Sequence, residues 1–295
     1  MRILVLGSGG QLGRDLTRTL RQIGHQVTSL DRTALDITDA GAVRAAVGAD
    51  YQRVVNCAAY TEVDRAETKA DLAFAVNRDG ARNVAQACSA RDVPLCHLST
   101  DFVFTQDPPE PPRPWLESDL PSPRGVYAES KRAGELECLA VGGRLYLVRT
   151  SWLYGGDGPN FPLTICRVAA RDGALRVVAD QHGSPTWTGH LASALAALLE
   201  GEDFGLYHLS GTGATTWFHF AGAVLEAVGL KAELEPTTTA AWAAPAPRPR
   251  YSVLDNSRWR QLGRPPLPPW EEGLRAYLTS EAKGAMAQFA DQLRS

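Results

Sequence analysis

Short apolar segments alternate with segments of helical periodicity along the first half of the chain. An apolar run covers residues 3–6, and Leu12, Leu16 and Leu20 then recur at helical spacing. The pattern predicts strands at 3–6, 25–30, 53–56, 93–98 and 145–148, and helices at 11–23, 40–47, 71–91 and 131–140. Such alternation indicates an α/β fold with a doubly wound parallel sheet, and strands that are apolar throughout are typical of burial on both faces.

The pattern becomes less regular after Thr150, where helices are predicted at 191–199 and 221–228. The proline-rich stretch 108–123 and the Ala/Pro/Arg-rich stretch 237–250 are predicted to be loops. We expect residues 1–150, with a returning segment at about 187–210, to form the sheet domain. Residues 151–295 should build mainly a smaller substrate-binding lobe over the carboxyl edge of the sheet.

The composition argues against several classes of function. The 295 residues are 44% apolar and 21% charged, and the formal net charge of −3 gives no general attraction to nucleic acid or to an anionic membrane. The chain has no run of about 18 apolar residues and no signal-peptide pattern at its start, so we expect no membrane span and a cytoplasmic location. The five cysteines form no C-x-x-C pair. A disulfide framework or a zinc site is therefore not expected, and we predict no metal for the chemistry.

A glycine-rich segment, GSGGQLG at residues 7–13, follows the first predicted strand and opens the first predicted helix. This is the context in which such a segment binds the pyrophosphate of a dinucleotide, because the helix N-terminus supplies unpaired N–H groups and a positive dipole end. Gly7 allows the tight turn, and Gly13 lets the helix pack close to the strand. The predicted cofactor contacts of this segment are Gly7, Gly9, Gly10, Gln11, Leu12 and Gly13.

Two neighbouring residues at the end of the second predicted strand give opposite indications about the cofactor. A carboxylate at Asp31 would bond a ribose 2′-hydroxyl and repel a 2′-phosphate, which favours NAD. The guanidinium of Arg32 could pair with that phosphate, which favours NADP. Both residues are predicted cofactor contacts, and the choice between NADPH and NADH stays open at this stage.

Tyr127 and Lys131 are four residues apart, a spacing that places two side chains on one face of a helix. A phenol with its ordinary pKa near 10 is a poor acid at neutral pH, and a neighbouring ammonium group lowers that pKa. The pair is therefore suited to protonate a carbonyl oxygen as hydride arrives at the carbon. We predict that both residues are catalytic and that both also contact the cofactor.

Thr100 lies at the predicted end of a strand, within the sequence Leu-Ser-Thr-Asp at 98–101. Carboxyl ends of parallel strands line the ligand crevice of such sheets. A hydroxyl at this place can donate a hydrogen bond to a substrate carbonyl oxygen. We predict that Thr100 is the third catalytic residue, and a structural turn or cap is the alternative.

With these residues assembled, the sequence resembles the extended short-chain dehydrogenase/reductases and, within them, the family of dTDP-4-dehydrorhamnose reductases. The resemblance covers nearly the whole chain. Its segments are NCAAYT at 56–61, STDFVF at 99–104, RTSWLY at 149–154 and DQHGSPT at 180–186. The activity that the resemblance implies is reduction of dTDP-4-dehydro-β-L-rhamnose to dTDP-L-rhamnose by NADPH or NADH, the last step of dTDP-L-rhamnose synthesis.

The resemblance also implies roles for further residues. The family pattern places cofactor contacts at Asp36 and Ile37 near the adenine, at Ala58, Ala59 and Tyr60 along the ribose and pyrophosphate, and at Asn77. It places substrate contacts at Thr61, Val63, Thr100, Asp101, Phe102, Trp152, Gln181 and Arg248. Core packing is the alternative role for Trp152, and an exposed surface charge is the alternative for Arg248.

The chain departs from the family pattern at Phe102, where a tyrosine is usual. The missing hydroxyl leaves the identity of the keto sugar open, so a reductase of another dTDP-4-keto-6-deoxy sugar is one alternative. A second alternative is a non-catalytic regulator similar to the methionine adenosyltransferase β subunit, against which the intact residues Thr100, Tyr127 and Lys131 argue. The predicted partner is a small nucleotide sugar, and the sequence leaves open whether the chain forms a homodimer or binds a structural magnesium ion.

Overall fold

The computed structural model describes residues 1–110, 112–156 and 158–280. Twelve strands lie in these ranges. They are β1 (Arg2–Leu6), β2 (Gln26–Leu30), β3 (Arg53–Asn56), β4 (Leu95–Thr100), β5 (Leu145–Thr150), β6 (Leu153–Tyr154), β7 (Ala174–Val178), β8 (His182–Gly183), β9 (Thr186–Trp187), β10 (Gly205–His208), β11 (Thr215–Thr216) and β12 (Glu233–Thr237).

Twelve α-helices connect these strands within the same described ranges. They are α1 (Gln11–Gln22), α2 (Ala40–Ala46), α3 (Val63–Ala66), α4 (Ala70–Phe74), α5 (Ala81–Ala90), α6 (Val126–Val141), α7 (Phe161–Asp172), α8 (Thr188–Leu199), α9 (Trp217–Val228), α10 (Thr239–Trp242), α11 (Ser257–Gln261) and α12 (Trp270–Ser280). A π-helical segment, Ala75–Gly80, joins α4 to α5, and a short 3-10 turn, Asp101–Val103, follows β4.

Six parallel strands form the central sheet in the order β10-β5-β4-β3-β1-β2. This confirms the predicted parallel sheet. The order reverses beside β1, because β2 lies on one side of it and β3 on the other. In sheets of this kind the ligand crevice lies at such a reversal, outside the carboxyl ends of the strands. The register places Leu6 opposite Asn56, so the segments after β1 and β3 leave the sheet side by side.

Helices cover both faces of the sheet, since strands buried on both faces need an apolar partner on each. On one face, α1 and α8 pack with Leu16, Leu20 and Leu191 against the sheet. On the other face, α2, α5 and α6 contribute Val43, Val84 and other residues to a second core. The segment α8–β10 thus belongs to the sheet layer, although it follows Thr150 in the sequence.

A separate apolar cluster forms among α7, α9, α12 and the two-stranded sheet of β7 and β12. Cys166, Phe220, Val224 and Tyr277 are fully buried in it. The division of the chain into two domains remains a prediction, although the separate cores agree with it.

The predicted strands of the first half are confirmed, with ends that differ by a few residues. The helix predicted at 131–140 begins earlier, at Val126, because the Glu67 carboxylate accepts a hydrogen bond of 2.9 Å from the Val126 N–H at the helix start. The long helix predicted at 71–91 is interrupted by the π-helical segment. Helix α10 lies within the loop predicted at 237–250.

Candidate active site

The glycine segment forms a cradle at the start of α1. Gly7 has φ of +72°, and a Cβ atom there would lie 2.5 Å from the Ala58 nitrogen. A Cβ atom at Gly13 would lie 2.3 Å from the Gly7 oxygen. No side chain caps the first turn of α1, so its N–H groups are available to a ligand. The cradle therefore fits the pyrophosphate of a dinucleotide at a helix N-terminus.

Gln11 opens this helix and reaches the loop before α7. Its Nε2 donates to the Pro159 oxygen over 2.9 Å, while its Oε1 has no hydrogen-bond partner. Leu12, the next residue, is buried in the core between α1 and the sheet. The structure thus places Gln11 at the edge of the cradle and makes Leu12 a packing residue.

Asp31 caps the turn that follows β2. Its Oδ1 accepts hydrogen bonds from the Thr33 nitrogen, the Thr33 hydroxyl and the Ala34 nitrogen over 2.9, 2.7 and 3.0 Å. The Thr33 hydroxyl and the Ala34 N–H hold the pKa of Asp31 below its ordinary value. Asp31 is therefore a carboxylate at neutral pH. It lies against Gly9, where a Cβ atom would be 3.3 Å from the Asp31 Cβ.

Asp36 caps a second turn on the same side of the crevice. It accepts hydrogen bonds from the nitrogen and the hydroxyl of Thr38, and these lower its pKa. The neighbouring Ile37 is 4% exposed and packs against Gly80 of the π-helical segment. The side chain of Ile37 thus belongs to the core, and its contact with the adenine stays a prediction.

Asn77 joins three parts of the site through its side-chain amide. Its Oδ1 accepts from the Tyr60 nitrogen over 2.8 Å, and its Nδ2 donates to the Tyr60 oxygen and to the Ser130 hydroxyl over 3.1 and 3.0 Å. Asn77 is 1% exposed. These bonds fix the segment that carries Ala58, Ala59 and Tyr60 against helix α6. A direct cofactor contact of Asn77 stays a prediction, and in this fold its amide positions the segment that follows β3.

Lys131 and Tyr127 lie on the first turns of α6, below the carboxyl end of β4. The Lys131 Nζ is buried and donates to the Leu98 oxygen over 2.7 Å. Burial lowers the pKa of Lys131 to about 8, and the charge of Glu135 opposes this change. At neutral pH Lys131 is therefore cationic, with a proton that it loses more readily than an exposed lysine.

The pKa of Tyr127 is raised to about 12, because burial disfavours the phenolate and the Asp101 charge repels it. A hydrogen bond with Thr100 acts in the opposite direction. The net change is opposite to the expectation drawn from the spacing of Tyr127 and Lys131, because burial outweighs the effects that lower this pKa. Tyr127 consequently holds its proton at neutral pH, as a proton donor must before the reaction.

Thr100 and Asp101 complete the polar surface at the end of β4. The Thr100 hydroxyl accepts from the Phe102 nitrogen over 3.2 Å and lies 3.1 Å from the Asp101 Oδ1. Asp101 is 2% exposed, and burial raises its pKa to about 7 despite the Ser252 and Thr100 hydroxyls. The ring of Phe102 packs edge-on against Tyr127, with centroids 5.4 Å apart.

Trp152 has a strained backbone and a confined side chain. Its φ is +45°, which a residue other than glycine rarely adopts. Its indole stacks on Trp217, with ring centroids 3.5 Å apart, and a Cβ atom at Gly183 would collide with the same indole. Strain of this kind concentrates at functional sites, and the surroundings hold the ring in one orientation.

Arg248 and Gln181 are engaged with other side chains of the protein. Both terminal nitrogens of Arg248 donate to the Asp64 carboxylate, over 2.9 and 2.8 Å. The Gln181 Nε2 donates to the Thr239 hydroxyl over 3.0 Å. Arg248 thus ties the loop just before Tyr251, a residue that pairs with His182 of β8, to Asp64 of helix α3. Val63 is the first residue of this helix, and Thr61 lies two positions before it. The guanidinium of Arg248, a predicted substrate contact, is thus paired with Asp64.

Sequence reasoning missed a buried ion pair beneath the catalytic residues. Glu135 is fully buried and accepts from the Ser99 hydroxyl over 2.6 Å and from Arg149 over 2.8 and 2.9 Å. Arg132 donates to the same carboxylate over 2.6 Å. The available signals were an acidic residue four positions after Lys131 and an arginine within an apolar strand. These links tie α6 to the ends of β4 and β5.

The described residues contain no cluster of three or more histidine, cysteine or acidic side chains placed to hold a metal ion. Within the same part of the chain, no helix is both long and apolar enough to cross a membrane. Four of the five cysteines are buried, and Cys57 is half-buried.

A parallel sheet with a dinucleotide cradle at its first turn, beside a tyrosine, a lysine and a threonine at the end of β4, defines a nicotinamide-dependent oxidoreductase of the short-chain dehydrogenase/reductase class. The sequence profile of the RmlD substrate binding domain matches residues 1–283. This chain belongs to that family.

Named relatives agree with this assignment. The chain is 49% identical over 283 residues to a dTDP-4-dehydrorhamnose reductase of Streptomyces griseus, covering 92% of this chain and 91% of the relative. A dTDP-4-dehydrorhamnose reductase of Mycolicibacterium smegmatis is 44% identical, covering 93% of this chain and 84% of the relative. The crystal structure of dTDP-4-dehydrorhamnose reductase from Bacillus anthracis in complex with NADP superposes with a TM-score of 0.90 at 37% identity. It covers 94% of this chain and 98% of that one.

Proposed function

We propose that this protein reduces the 4-keto group of dTDP-4-dehydro-β-L-rhamnose to form dTDP-L-rhamnose, with NADPH or NADH as the hydride donor. The observation that carries the proposal is the meeting of Tyr127, Lys131 and Thr100 at the end of β4, on the same edge of the parallel sheet as the glycine cradle. Lys131 reaches this point through its bond to Leu98, and Tyr127 through its bond with Thr100.

The chemistry requires one hydride and one proton, which convert the carbonyl into a secondary alcohol. A reduced nicotinamide cofactor held by the glycine cradle would supply the hydride that carbon 4 accepts. Tyr127 donates its phenolic proton to the carbonyl oxygen, and solvent later returns a proton to the phenolate. Proton transfer by a positioned side chain contributes about 10²–10⁴-fold to the rate of such a step. Thr100 donates a hydrogen bond to the same oxygen and stabilises its developing charge.

Lys131 supplies a fixed positive charge near the reacting groups. Its ammonium is held by the Leu98 oxygen, so it cannot swing away from the crevice. A cation there stabilises the phenolate that Tyr127 leaves after proton transfer. We assign it the additional role of bonding the nicotinamide ribose, which the resemblance to the family implies.

The substrate side of the crevice is formed by Asp101, Phe102 and Trp152, with Thr61 and Val63 at its border. The stacked pair of Trp152 and Trp217 presents a rigid aromatic edge suited to a sugar or a base. Phe102 leaves this part of the crevice less polar than a tyrosine would. We infer that Gln181 and Arg248 shape the nucleotide end by holding their loops in place, through Thr239 and Asp64 respectively.

The test is a comparison of turnover on several dTDP-4-keto-6-deoxy sugars, each generated enzymatically and mixed with reduced cofactor. The proposal expects the highest kcat/KM with dTDP-4-dehydro-β-L-rhamnose, and dTDP-L-rhamnose as the product identified by NMR. Preference for another keto sugar would replace the substrate while keeping the reaction class. Absence of turnover with every sugar, from folded protein that binds NADPH, would favour the regulatory alternative.

A further inference from the structure

An open groove of ≈ 420 Å³ runs along α1 beside the edge strand β2. It adjoins the cofactor cradle at Ser8 but is lined by residues that the glycine motif does not include. These are Ser8, Arg14, Thr17, Arg18, Arg21, Gln22 and Ser29. Three arginines on successive turns of one helix give the groove a positive character, which suits an anion.

The arginines differ in how far their charge is already neutralised. Arg18 donates to the buried Asp15 carboxylate over 2.6 Å. Arg21 bonds the Val27 oxygen and the Ser29 hydroxyl, both uncharged, over 3.2 Å. Arg14 bonds the Gly9 oxygen through its Nε over 2.9 Å. In the described part of the chain, neither Arg14 nor Arg21 pairs with a carboxylate, so two of the three charges remain unbalanced.

A buried polar atom in the groove is an independent sign of a ligand site. Thr17 is 7% exposed and lines the groove, yet its Oγ1 has no hydrogen-bond partner. A threonine inside a helix commonly bonds the carbonyl of the preceding turn, and a buried hydroxyl without a partner is unfavourable. An oxygen-rich anion or its bound water would provide the missing partner.

The mouth of the groove lies where the adenosine ribose of a dinucleotide is expected. Gly9 separates Arg14 from Asp31, because Arg14 bonds the Gly9 oxygen and Asp31 packs against the Gly9 Cα. The carboxylate at the end of the second strand marks the ribose 2′ position in folds of this kind, and a nearby arginine accommodates a 2′-phosphate. Arg14 is therefore next to the 2′ position without belonging to the strand-end dipeptide.

Arg32, the arginine of that dipeptide, faces a different carboxylate. Bonds from the nitrogen and the hydroxyl of Thr38 account for most of the lowered pKa of Asp36, and the Arg32 charge adds a smaller effect in the same direction. Asp31 is itself turned into its own loop, where three donors bond its Oδ1. These bonds keep Asp31 in its anionic form, so a phosphate beside it needs a compensating cation, which Arg14 supplies.

We propose that the mouth of this groove, formed by Arg14 and Ser8, is the subsite for the 2′-phosphate of NADPH, and that Arg14 rather than Arg32 sets the preference for NADPH over NADH. The proposal rests on the proposed function only in taking NADPH as a cofactor. A phosphate monoester carries about 1.5 to 2 negative charges at neutral pH and accepts several hydrogen bonds, so it matches an arginine fork and a hydroxyl.

Calorimetric binding of 2′,5′-ADP and 5′-AMP to the full chain tests the subsite without any turnover. The wild type should bind 2′,5′-ADP more tightly than 5′-AMP. Arg14→Ala should weaken 2′,5′-ADP binding about tenfold or more while leaving 5′-AMP binding unchanged, because a charge-assisted pair to a phosphate is lost. Arg32→Ala separates the two arginines and should weaken 2′,5′-ADP binding less than Arg14→Ala does. Arg44→Ala, at an exposed position of α2 outside the groove, is the control and should leave both affinities nearly unchanged.

Two results with the nucleotides would overturn the proposal. One is a larger loss of 2′,5′-ADP affinity in Arg32→Ala than in Arg14→Ala. The other is an equal loss of both ligands in Arg14→Ala, which would assign this residue to holding the Gly9 loop. Inorganic phosphate serves as a third ligand. If its binding depends on Arg14 while 2′,5′-ADP binding does not, the groove is a general anion site and the 2′-phosphate assignment is wrong.

Steady-state kinetics provides a second readout. The ratio of kcat/KM for NADPH to that for NADH should fall about tenfold in Arg14→Ala, with the NADH value retained. Failure of the proposed function would appear differently, as no turnover with either cofactor while the nucleotide affinities still follow the predicted order.

Discussion

At the scale of single residues, Asp101 shows a conflict between stability and chemistry. Its carboxyl is buried at the end of β4 beside Thr100 and close enough to Tyr127 to raise the pKa of that phenol. Its Oδ2 is buried and has no hydrogen-bond partner. Such a group costs stability, because a buried carboxylate is poorly solvated. Its predicted place on the substrate side of the crevice gives a reason for keeping it there.

Asp101→Asn should therefore stabilise the folded protein, and more so at about pH 8 than at about pH 5. The pKa of Asp101 is about 7 in the folded state against 3.8 for the free side chain. The folded state thus holds this proton more tightly, and the stability that it contributes at low pH is lost as pH rises through about 7. Thermal unfolding of wild type and variant at the two pH values measures the difference.

Asp172→Asn is a suitable control for that experiment. The pKa of Asp172 is lowered by its bond with Arg171 at the surface, so its substitution should produce a small change of the opposite sign. An equal effect of Asp101→Asn at both pH values would contradict the assigned pKa of Asp101.

The sequence identifies some residues of the site better than others. Tyr127, Lys131 and Gly7 were predicted because their chemistry and spacing are local. The bonds of Asn77 and the stacking of Trp217 on Trp152 join segments that are far apart in the chain, so no local pattern contains them. The sequence predicted that the neighbouring Lys131 would lower the pKa of Tyr127. In the fold, burial and the charge of Asp101 raise that pKa instead.

At the scale of elements, helix α6 is fixed to the sheet through two side chains one turn apart. Lys131 bonds the Leu98 oxygen, and Glu135 bonds the Ser99 hydroxyl and Arg149. These contacts fix the position of the helix that carries Tyr127 relative to β4. Glu135 and Arg149 are almost fully buried, and removal of one partner of such a pair leaves an uncompensated charge.

Glu135→Ala should lower the free energy of unfolding by about 3–5 kcal/mol, which denaturant titration measures. Glu235→Ala, which removes an exposed ion pair with Arg176, should cost less than about 1 kcal/mol. Comparable losses of unfolding free energy in the two variants would show that the buried ion pair contributes no more to stability than the exposed one.

The same carboxylate should influence the pH dependence of turnover. Lys131 has a pKa of about 8, and the charge of Glu135 raises it. Glu135→Gln keeps the shape of the side chain but removes this charge, so Lys131 should lose its proton at lower pH. The decline of kcat on the alkaline side should then begin at lower pH than in the wild type. An unchanged profile in folded Glu135→Gln would exclude this influence.

Element boundaries were predicted less well where the signal was a cap. Helix α7 begins after Asn160, whose side chain accepts from the Leu163 nitrogen, contains Pro162 in its first turn and ends at Gly173 in a left-handed conformation. These are ordinary start and stop signals that could have been found in the sequence. Strand β10 carried too little pattern, since its place in the sheet depends on pairing with β5.

At the scale of the whole molecule, the sheet layer depends on a segment that follows the first 150 residues. Helix α8 packs on α1 through Leu191 and Leu195, and β10 pairs with β5. Periodicity predicted the layers of the first half because each unit is local. The sequence also predicted a returning segment at about 187–210 in the sheet domain, and α8 and β10 lie there. Periodicity did not show how the remaining later segments pack, since that depends on long-range contacts.

A fragment of residues 1–150 should therefore fail to fold cooperatively. Without α8 and β10, the apolar face of α1 and one edge of β5 would be exposed to water. Thermal unfolding followed by circular dichroism, with the whole chain as the control, checks this expectation. A sharp transition in the fragment would mean that the first 150 residues form an independent domain.

The central claim is that Tyr127 protonates the keto oxygen of dTDP-4-dehydro-β-L-rhamnose. The most direct measurement is kcat of Tyr127→Phe with this sugar and NADPH, together with calorimetric NADPH binding to show that the crevice is intact. The account predicts a fall in kcat of about 10²–10⁴-fold with NADPH affinity nearly unchanged, because only the proton donor is lost. Turnover close to the wild-type rate would contradict the assignment of Tyr127 as the acid.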